Sequence, residues 1–362
     1  MQGAPRDISV ELTFFPDRRA SNPYQAVIYR ALGPTVNARP GMIDRAEAQR
    51  ARAGSSLAVF HLHWEEAVQT EARQSPERFL DALSRFRALG GRVVWTVHNI
   101  EPHDPALRPF ARDLRPGLLD LADVVHVHST HALTALAEGW GMIPRQARII
   151  PHPSYDGCYP ILDRMAARET LGLAAARMVV LAPGRIAAYK RTDALMLAFS
   201  QVAGADDVLL VAGALAKGHG IGASQDPRIR VVTEFAAPDQ FARLHAACDL
   251  VVLPYAASLT SGSAILAATL GRGVLGADTP GLRDAVLPGI SGVLYDAAGD
   301  AALADAMRSA LAEGADVWAE RGRQAARLAR GRGPTIIASM WRDLLTALQA
   351  TGADARRQET SA

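Results

Sequence analysis

Short apolar runs recur along the chain, each closed by polar or turn-forming residues and followed by a stretch with helical spacing. In the first half, Ile8 to Phe15, Leu57 to Leu62, Arg92 to Val97, Val124 to Val127 and Arg148 to Ile150 predict strands. Helices are predicted over 25–32, 76–89 and 109–121, with another capped by Ser129 and Thr130. Phe79, Leu80, Leu83 and Phe86 share one face of the second helix. In the second half, Met178 to Ala182, Val208 to Ala212, Ile229 to Val232, Leu250 to Leu253, Val274–Leu275 and Val293 to Tyr295 read as strands. Helices there are expected over 192–202, 238–247, 264–270, 301–312, 317–329 and, last, 335–348. Runs this uniformly apolar belong to parallel strands covered on both faces. Their alternation with helices predicts an α/β fold of doubly wound parallel sheets. Pro151 to Pro160, dense in proline, reads as a linker between domains over 1–152 and 160–333. Arg39 to Arg52 is strongly charged and reads as exposed, and the polar tail from Thr351 as disordered.

Composition narrows the picture. A chain of 362 residues with 49% apolar content fills two ordinary cores. A net charge of +2 leaves no electrostatic footprint for nucleic acid. No run of about 18 apolar residues occurs, so no membrane-spanning helix is expected. Cys158 and Cys248 lack metal or redox spacing, and no cleavable signal pattern precedes them. That combination predicts the reducing cytoplasm. Arginine replaces lysine almost throughout, and Lys190 and Lys217 are the only lysines.

Candidate chemistry concentrates past strand ends, where open α/β sheets take their ligands. Asn22-Pro23-Tyr24, His63 to Glu66, His98 to Asp104 and His128 all lie there in the first half. Two α/β halves joined by one linker predict a ligand cleft between them. In the second half the densest stretch is Leu250 to Gly276: a buried strand ended by Pro254, then Thr260-Ser261-Gly262-Ser263 opening a helix. The first free N–H groups and the dipole of such a helix form a phosphate site. An ordinary capped crossover carries the same residues. Gly184-Arg185 and Tyr189-Lys190 follow the first strand of this half, and Thr233, Glu234 and Phe235 follow another. The last three fit either a base-holding loop or plain surface. No G-x-G-x-x-G follows the first strand, which argues against a nicotinamide enzyme.

In order and spacing, Gly184-Arg185 with Tyr189-Lys190, Leu209 to Gly213, Cys248 to Tyr255, and Ser261-Gly262-Ser263 with Gly271 resemble the GT-B glycosyltransferases. The resemblance implies two facing Rossmann-like domains. The first would bind the acceptor over 1–152 and be completed by a C-terminal helix, within 335–362, that crosses back to it. The second would bind the nucleotide-sugar over 160–333. Asn22-Pro23-Tyr24, His61 to Trp64 with Glu66, Thr96 to Asn99 with Pro102-His103, and Leu253 to Tyr255 resemble more closely the bacterial exopolysaccharide β-mannosyltransferases of xanthan assembly. That likeness implies GDP-mannose as donor and a lipid-linked oligosaccharide at the inner membrane face as acceptor. Peripheral contact with anionic lipid through arginines 39, 45, 50, 52, 85, 87, 108, 112 and 115 would follow, although acidic neighbours make a solvated mixed surface an equal reading. One departure matters. The glutamate pair usual in retaining members falls here at Ser258 and Leu266, which points to an inverting enzyme and leaves ribose recognition unassigned.

Inverting transfer needs a stabilised diphosphate leaving group and a base for the acceptor hydroxyl. No DxD-like motif stands at a strand end, so no metal or other cofactor is expected and Arg185 and Lys190 supply the cations. Tyr255, Thr260, Ser261, Gly262 and Ser263, with Thr233, Glu234 and Phe235, complete the expected donor site. Glu66 is the first choice of base, Asp104 the second, and His98 and His103 are alternatives. Asn22, Tyr24, His63 and Trp64 are expected on the acceptor. His61 reads as a core histidine, and His61-x-His63 is weak evidence for zinc. Two other readings stay open: a UDP-glucose or UDP-glucuronate transferase of the same fold, and a non-catalytic nucleotide-sugar-binding scaffold.

Overall fold

The computed structural model describes residues 9–359 except 53, 55, 217, 223, 234–236 and 298. The chain divides into two compact units, Met1–Pro153 with Pro334–Ala362, and Ser154–Gly333.

Unit 1 is a parallel sheet of β1 (Val10–Phe15), β2 (Val36–Pro40), β3 (Leu57–Leu62), β4 (Arg92–Thr96), β5 (Val124–Val127) and β6 (Ala147–Ile149), in the order β2-β1-β3-β4-β5-β6. One face packs Leu12, Phe14, Val59, Val94 and Val124 against the helices Pro23–Ala31 and Pro334–Glu359, through Ile28, Ile337, Trp341 and Leu345. Toward the carboxyl ends the same face turns polar but stays sealed, with Phe14 of β1 paired to His61 of β3 and Thr96 of β4 to His126 of β5. Trp341 lies over His61 and His126, with ring centroids 5.0 and 4.8 Å away. On the opposite face Phe60 meets Phe79 edge-on, and Phe79, Leu83 and Phe86 of the helix Pro76–Ala88 are buried as their spacing predicted; Leu80 is half-buried.

Several elements differ from the expectation. Arg39 to Arg52 is not simply exposed surface: its first residues belong to β2 and most of the rest to a helix, Ile43–Arg52. β2 is an edge strand paired only to β1, where Asn37, Arg39 and Pro40 are tolerated. The helix buries only Ile43 and Ala46, too little for periodicity to show. The expected helices 301–312 and 317–329 form one element, Asp300–Arg330, broken at Gly314 with φ +82°; beyond the break Trp318 is sealed in the core and donates Nε1–H to the Ala310 carbonyl at 2.8 Å. The last helix does not stop near Leu348 but continues to Glu359, through part of the tail expected to be disordered.

Unit 2 holds β7 (Met178–Pro183), β8 (Asp207–Ala212), β9 (Ile229–Val232), β10 (Leu250–Leu253), β11 (Gly273–Ala277) and β12 (Gly292–Tyr295), in the order β12-β11-β10-β7-β8-β9, all parallel. The chain winds outward from β7 to β9, then restarts at β10 on the other side of β7. The switch point, where such sheets bind ligands, therefore lies between β7 and β10. Asp249 locks that junction: its buried carboxylate accepts the Val179 N–H at 2.7 Å and pairs with Arg168 at 2.6 Å. No helix among the described residues is long and apolar enough to cross a membrane.

Candidate active site

The switch point of unit 2 gathers the residues expected on a diphosphate. β7 ends in Pro183-Gly184, and a 3-10 turn over Ala188–Lys190 brings Lys190 back over the strand end. Lys190 Nζ donates to the Tyr255 hydroxyl and sits 3.8 Å above the Tyr255 ring. Burial lowers the Lys190 pKa, and the Tyr189 phenol partly opposes the shift. Burial pushes Tyr255 up to about 12 against hydrogen bonds to Ser263 and Ser261. Tyr255 therefore stays a neutral phenol, and no carboxylate pairs with Lys190 among the described residues. Ser261 caps the helix Gly262–Thr269, its Oγ accepting the Ala264 N–H at 3.2 Å. Lys190, Tyr255, Ser261 and Ser263 thus share one locus, beside Gly184. Arg185 is exposed at the same strand end, and its charge acts on Tyr189. Thr260 is half-buried, its carbonyl accepting from Ser258 Oγ at 3.2 Å. Thr233 is exposed past the edge strand β9; Glu234 and Phe235 lie outside the described residues. Leu266 is sealed within its helix, so no polar group is offered at that position.

Two glycines make this closeness possible. A Cβ on Gly184, whose φ is +98°, would stand 3.3 Å from Ser263 Oγ and 3.6 Å from Lys190 Nζ. A Cβ on Gly213, at the end of β8, would fall 2.1 Å from the Gly184 carbonyl oxygen. Gly213→Ala is accordingly expected to lower unfolding stability by about 1–3 kcal/mol and to weaken nucleotide binding. Urea titration and calorimetry check this, and a variant unchanged in both would show that the approach is not needed.

In unit 1 the expected residues again meet at strand ends, but not all are available to a ligand. Glu66 precedes the short helix Ala67–Thr70, its side chain taking no part in the cap. Burial, then the neighbouring Glu65 charge, raises its pKa from 4.5 to about 7. Glu65 itself is sealed, 2.8 Å from Arg115, which also reaches Glu101 at 3.2 Å. Arg115 is therefore a buried structural partner and not a lipid contact, a correction to the arginine surface expected above. Trp64 holds a left-handed φ of +33° and stacks on His98 with centroids 4.1 Å apart. A bulky residue in that region is strained, a common mark of a working site.

Several of the expected residues are already engaged or buried within the unit. Asp104 is exposed, and its carboxylate caps the turn Pro105–Leu107 by accepting the Ala106 N–H at 3.0 Å, which engages it structurally. His103 is exposed beside it. Asn22 caps the helix Pro23–Ala31 through the Tyr24 N–H at 3.0 Å. Tyr24 and His63, expected on the acceptor, are sealed; the Tyr24 hydroxyl meets His128 Nε2 at 2.8 Å. His61 is buried and bonded to Tyr29 and Thr96, a satisfied core histidine. Tyr29, Thr96 and His126 escaped the sequence reading as site residues. For Thr96 and His126 the signal was period two: His61/His63, Thr96/His98 and His126/His128 close three adjacent strands on one face; Tyr29, on a helix, carried none. No group of three or more His, Cys, Asp or Glu among the described residues is arranged to hold a metal ion.

Comparison with known proteins bears on both units. Residues 177–313 match the family described as Glycosyl transferases group 1. The chain is 28% identical over 323 residues to the GDP-mannose:glycolipid 4-beta-D-mannosyltransferase of Xanthomonas campestris pv. campestris, with 84% of each covered. It is 27% identical over 284 residues to the D-inositol 3-phosphate glycosyltransferase of Nocardia farcinica (strain IFM 10152); 68% of this chain is covered, and it spans 62% of that relative's length. Among solved structures it is similar to Anabaena Alr3699/HepE in complex with UDP and glucose, with TM-score 0.69, 16% identity, and 94% of this chain and 100% of that one covered. Sucrose-phosphate synthase from Thermosynechococcus elongatus is similar at TM-score 0.67 and 21% identity, over 85% of this chain and 77% of that one.

Proposed function

We propose that this chain, whose residues 177–313 match the Glycosyl transferases group 1 family and whose two α/β units share the GT-B fold, transfers a hexose from a nucleotide-sugar to a glycolipid-type acceptor. GDP-mannose is the leading donor and a lipid-linked oligosaccharide of exopolysaccharide assembly the leading acceptor, with inversion and without a metal. The observation that carries the reading is the Lys190 ammonium, without a carboxylate partner among the described residues, held against a neutral Tyr255 beside Ser261 and Ser263 at the β7/β10 switch point. Such a charge is suited to a diphosphate. The GDP-mannose choice is supported by the likeness to the Xanthomonas mannosyltransferase over 84% of both chains. Inversion is supported by sealed Leu266, which offers no carboxylate.

In this reading the acceptor oxygen attacks the anomeric carbon as its bond to the diphosphate breaks. The acceptor proton passes to Glu66, and the leaving group takes its negative charge to Lys190, Arg185 and the N–H groups of Gly262 and Ser263. Glu66 suits the task because its pKa of about 7 leaves a substantial carboxylate fraction at neutral pH while keeping it basic enough to take a proton. A site of action in the cytoplasm, against the inner membrane face, follows from the acceptor class.

The test is thermal unfolding with GDP, UDP, GDP-mannose, UDP-glucose and UDP-glucuronate, with and without magnesium. A ligand at a hundredfold its Kd should raise Tm by roughly 5–10 °C. Stabilisation by the guanine ligands without magnesium, followed by turnover, is the expected outcome. A shift with UDP ligands alone would move the donor to a UDP-sugar, as in the ligand of the Anabaena structure. Binding without turnover on any acceptor would favour a scaffold, and no shift at millimolar ligand would remove the diphosphate assignment.

A further inference from the structure

The sealed polar face of unit 1 is one continuous hydrogen-bonded chain. His126 Nε2 lies 2.9 Å from the Ile150 carbonyl oxygen, and His126 Nδ1 2.9 Å from Thr96 Oγ1. Thr96 Oγ1 is 2.7 Å from His61 Nε2, and His61 Nδ1 is 3.0 Å from the Tyr29 hydroxyl. That hydroxyl is 2.7 Å from His63 Nε2, and His63 Nδ1 is 3.1 Å from His98 Nε2. The first five members, from His126 to His63, are at least nine-tenths buried, and His98 is 8% exposed. Burial depresses all four imidazoles, His126 to about 4 and His61, His63 and His98 well below 6.5, so each ring is neutral at pH 7 and carries one proton.

The Ile150 end fixes every proton in the chain. A carbonyl only accepts, so His126 carries its hydrogen on Nε2 and leaves Nδ1 bare. Thr96 has one hydrogen and gives it to that Nδ1, so it accepts from His61 Nε2–H. His61 Nδ1 is then bare and takes the Tyr29 hydrogen, which makes Tyr29 accept from His63 Nε2–H. His63 Nδ1 is bare in turn and accepts from His98 Nε2–H. No link can be reversed without two lone pairs or two hydrogens meeting. The chain therefore delivers His98 in a single form. Its Nδ1 has no partner among the described residues and does not fall among the sealed, unpartnered atoms, so it opens to the surface. Trp64, stacked on His98 at 11°, fixes the plane of the ring.

We propose that Tyr29, His61, His63, Thr96 and His126 are positioning residues that lock His98 as the Nε2–H tautomer, presenting a bare Nδ1 that accepts a hydrogen bond from a hydroxyl of the sugar substrate. The lock stands on the hydrogen-bond geometry alone; the hydroxyl contact rests on the transferase reading above. It separates two roles among the candidates: His98 orients a hydroxyl, and Glu66 takes the proton. The direction of the relay matters because a His98 carrying its hydrogen on Nδ1 could only donate there, so it could not accept the hydrogen of a substrate hydroxyl and would leave that hydroxyl oriented the other way.

The test uses the full chain with 15N-labelled histidine. Long-range 1H–15N correlation at pH 7 reads which nitrogen of each ring carries hydrogen. His61, His63, His98 and His126 should all be Nε2–H. Thr96→Val keeps the shape but removes the hydroxyl that both donates and accepts; His61, His63 and His98 should then become tautomer mixtures, and Thr96→Ser should restore the single form. Tyr29→Phe, cutting the chain nearer its end, should release His63 and His98 but leave His61 donating to Thr96. In turnover assays Thr96→Val should lower kcat by roughly tenfold with the KM for nucleotide-sugar unchanged, and Thr96→Ser should recover it. An Nδ1–H form of His98 in the parent chain, or tautomers indifferent to both cuts, would overturn the lock. Released tautomers with full kcat would overturn the substrate contact. Absence of turnover in the parent chain would sink the transferase reading and the contact with it, while the tautomer pattern would still decide the lock.

Discussion

A Lys190→Ala variant is expected to lose nucleotide affinity and turnover together, with kcat/KM down by about 10²–10³-fold. The size follows from how the ammonium is held. Among the described residues it meets a neutral phenol and two aromatic faces, Tyr255 at 3.8 Å and Tyr189 at 5.5 Å. Ring faces and a phenol oxygen hold a cation in place without neutralising it. The depressed pKa records the burial that charge endures. A diphosphate arriving at the N-terminus of Gly262–Thr269 would complete the ion pair in a low-dielectric spot, where it is worth more than in water. Lys190→Arg should not restore function, because a planar fork cannot take the seat of a compact ammonium over the ring. Tyr255→Phe separates charge from packing: it keeps the ring, removes the hydroxyl, and should show a smaller loss. Titration calorimetry with GDP, alongside steady-state rates, provides the measurement. Unchanged GDP affinity in Lys190→Ala would place the diphosphate elsewhere.

The contrast between Lys190 and Thr96 shows which part of this site the sequence could reveal. Lys190 follows the first strand of its unit within a few residues, and Ser261 to Ser263 follow the fourth strand before a helix, so strand-end reasoning reached both. The parallel character of the sheets was equally accessible, because most strands are short apolar runs. The edge strand Val36–Pro40 and the helix Ile43–Arg52 were hidden because each buries little. The histidine chain was hidden for a different reason. Its six members come from one helix, three strands and the loops just past two of them, and no local window contains more than two of them. Only the sheet register brings Thr96 opposite His126. Asp104 and Asn22, plausible from position, are engaged as caps: each ends a loop that follows a strand and stands directly before a turn or helix, where its side chain is claimed by orphan N–H groups.

Glu66→Gln should abolish the base and lower kcat by about 10²–10⁴-fold while leaving GDP binding intact. Wild-type kcat/KM should rise with pH and level off above about 7, because the carboxylate, not the acid, takes the acceptor proton. Stability should move the opposite way. The folded-state pKa of about 7 lies above the ordinary 4.5, so the folded protein holds this proton more tightly than the unfolded chain. The stabilising contribution is full below pH 4.5 and is lost as pH rises to about 7, where the buried carboxylate ionises near Glu65. Glutamine cannot ionise, so the variant should melt higher than the parent at pH 8 and close to it at pH 4. A variant that is inactive yet more stable at pH 8 cannot owe its inactivity to unfolding, which is the usual ambiguity of a dead mutant. Full turnover in Glu66→Gln would remove it as the base and leave His103, exposed at the neighbouring strand end, as the next residue to substitute. Loss of turnover without the rise in Tm at pH 8 would mean that Glu66 is ionised already at neutrality, and its reactivity would then rest on position alone.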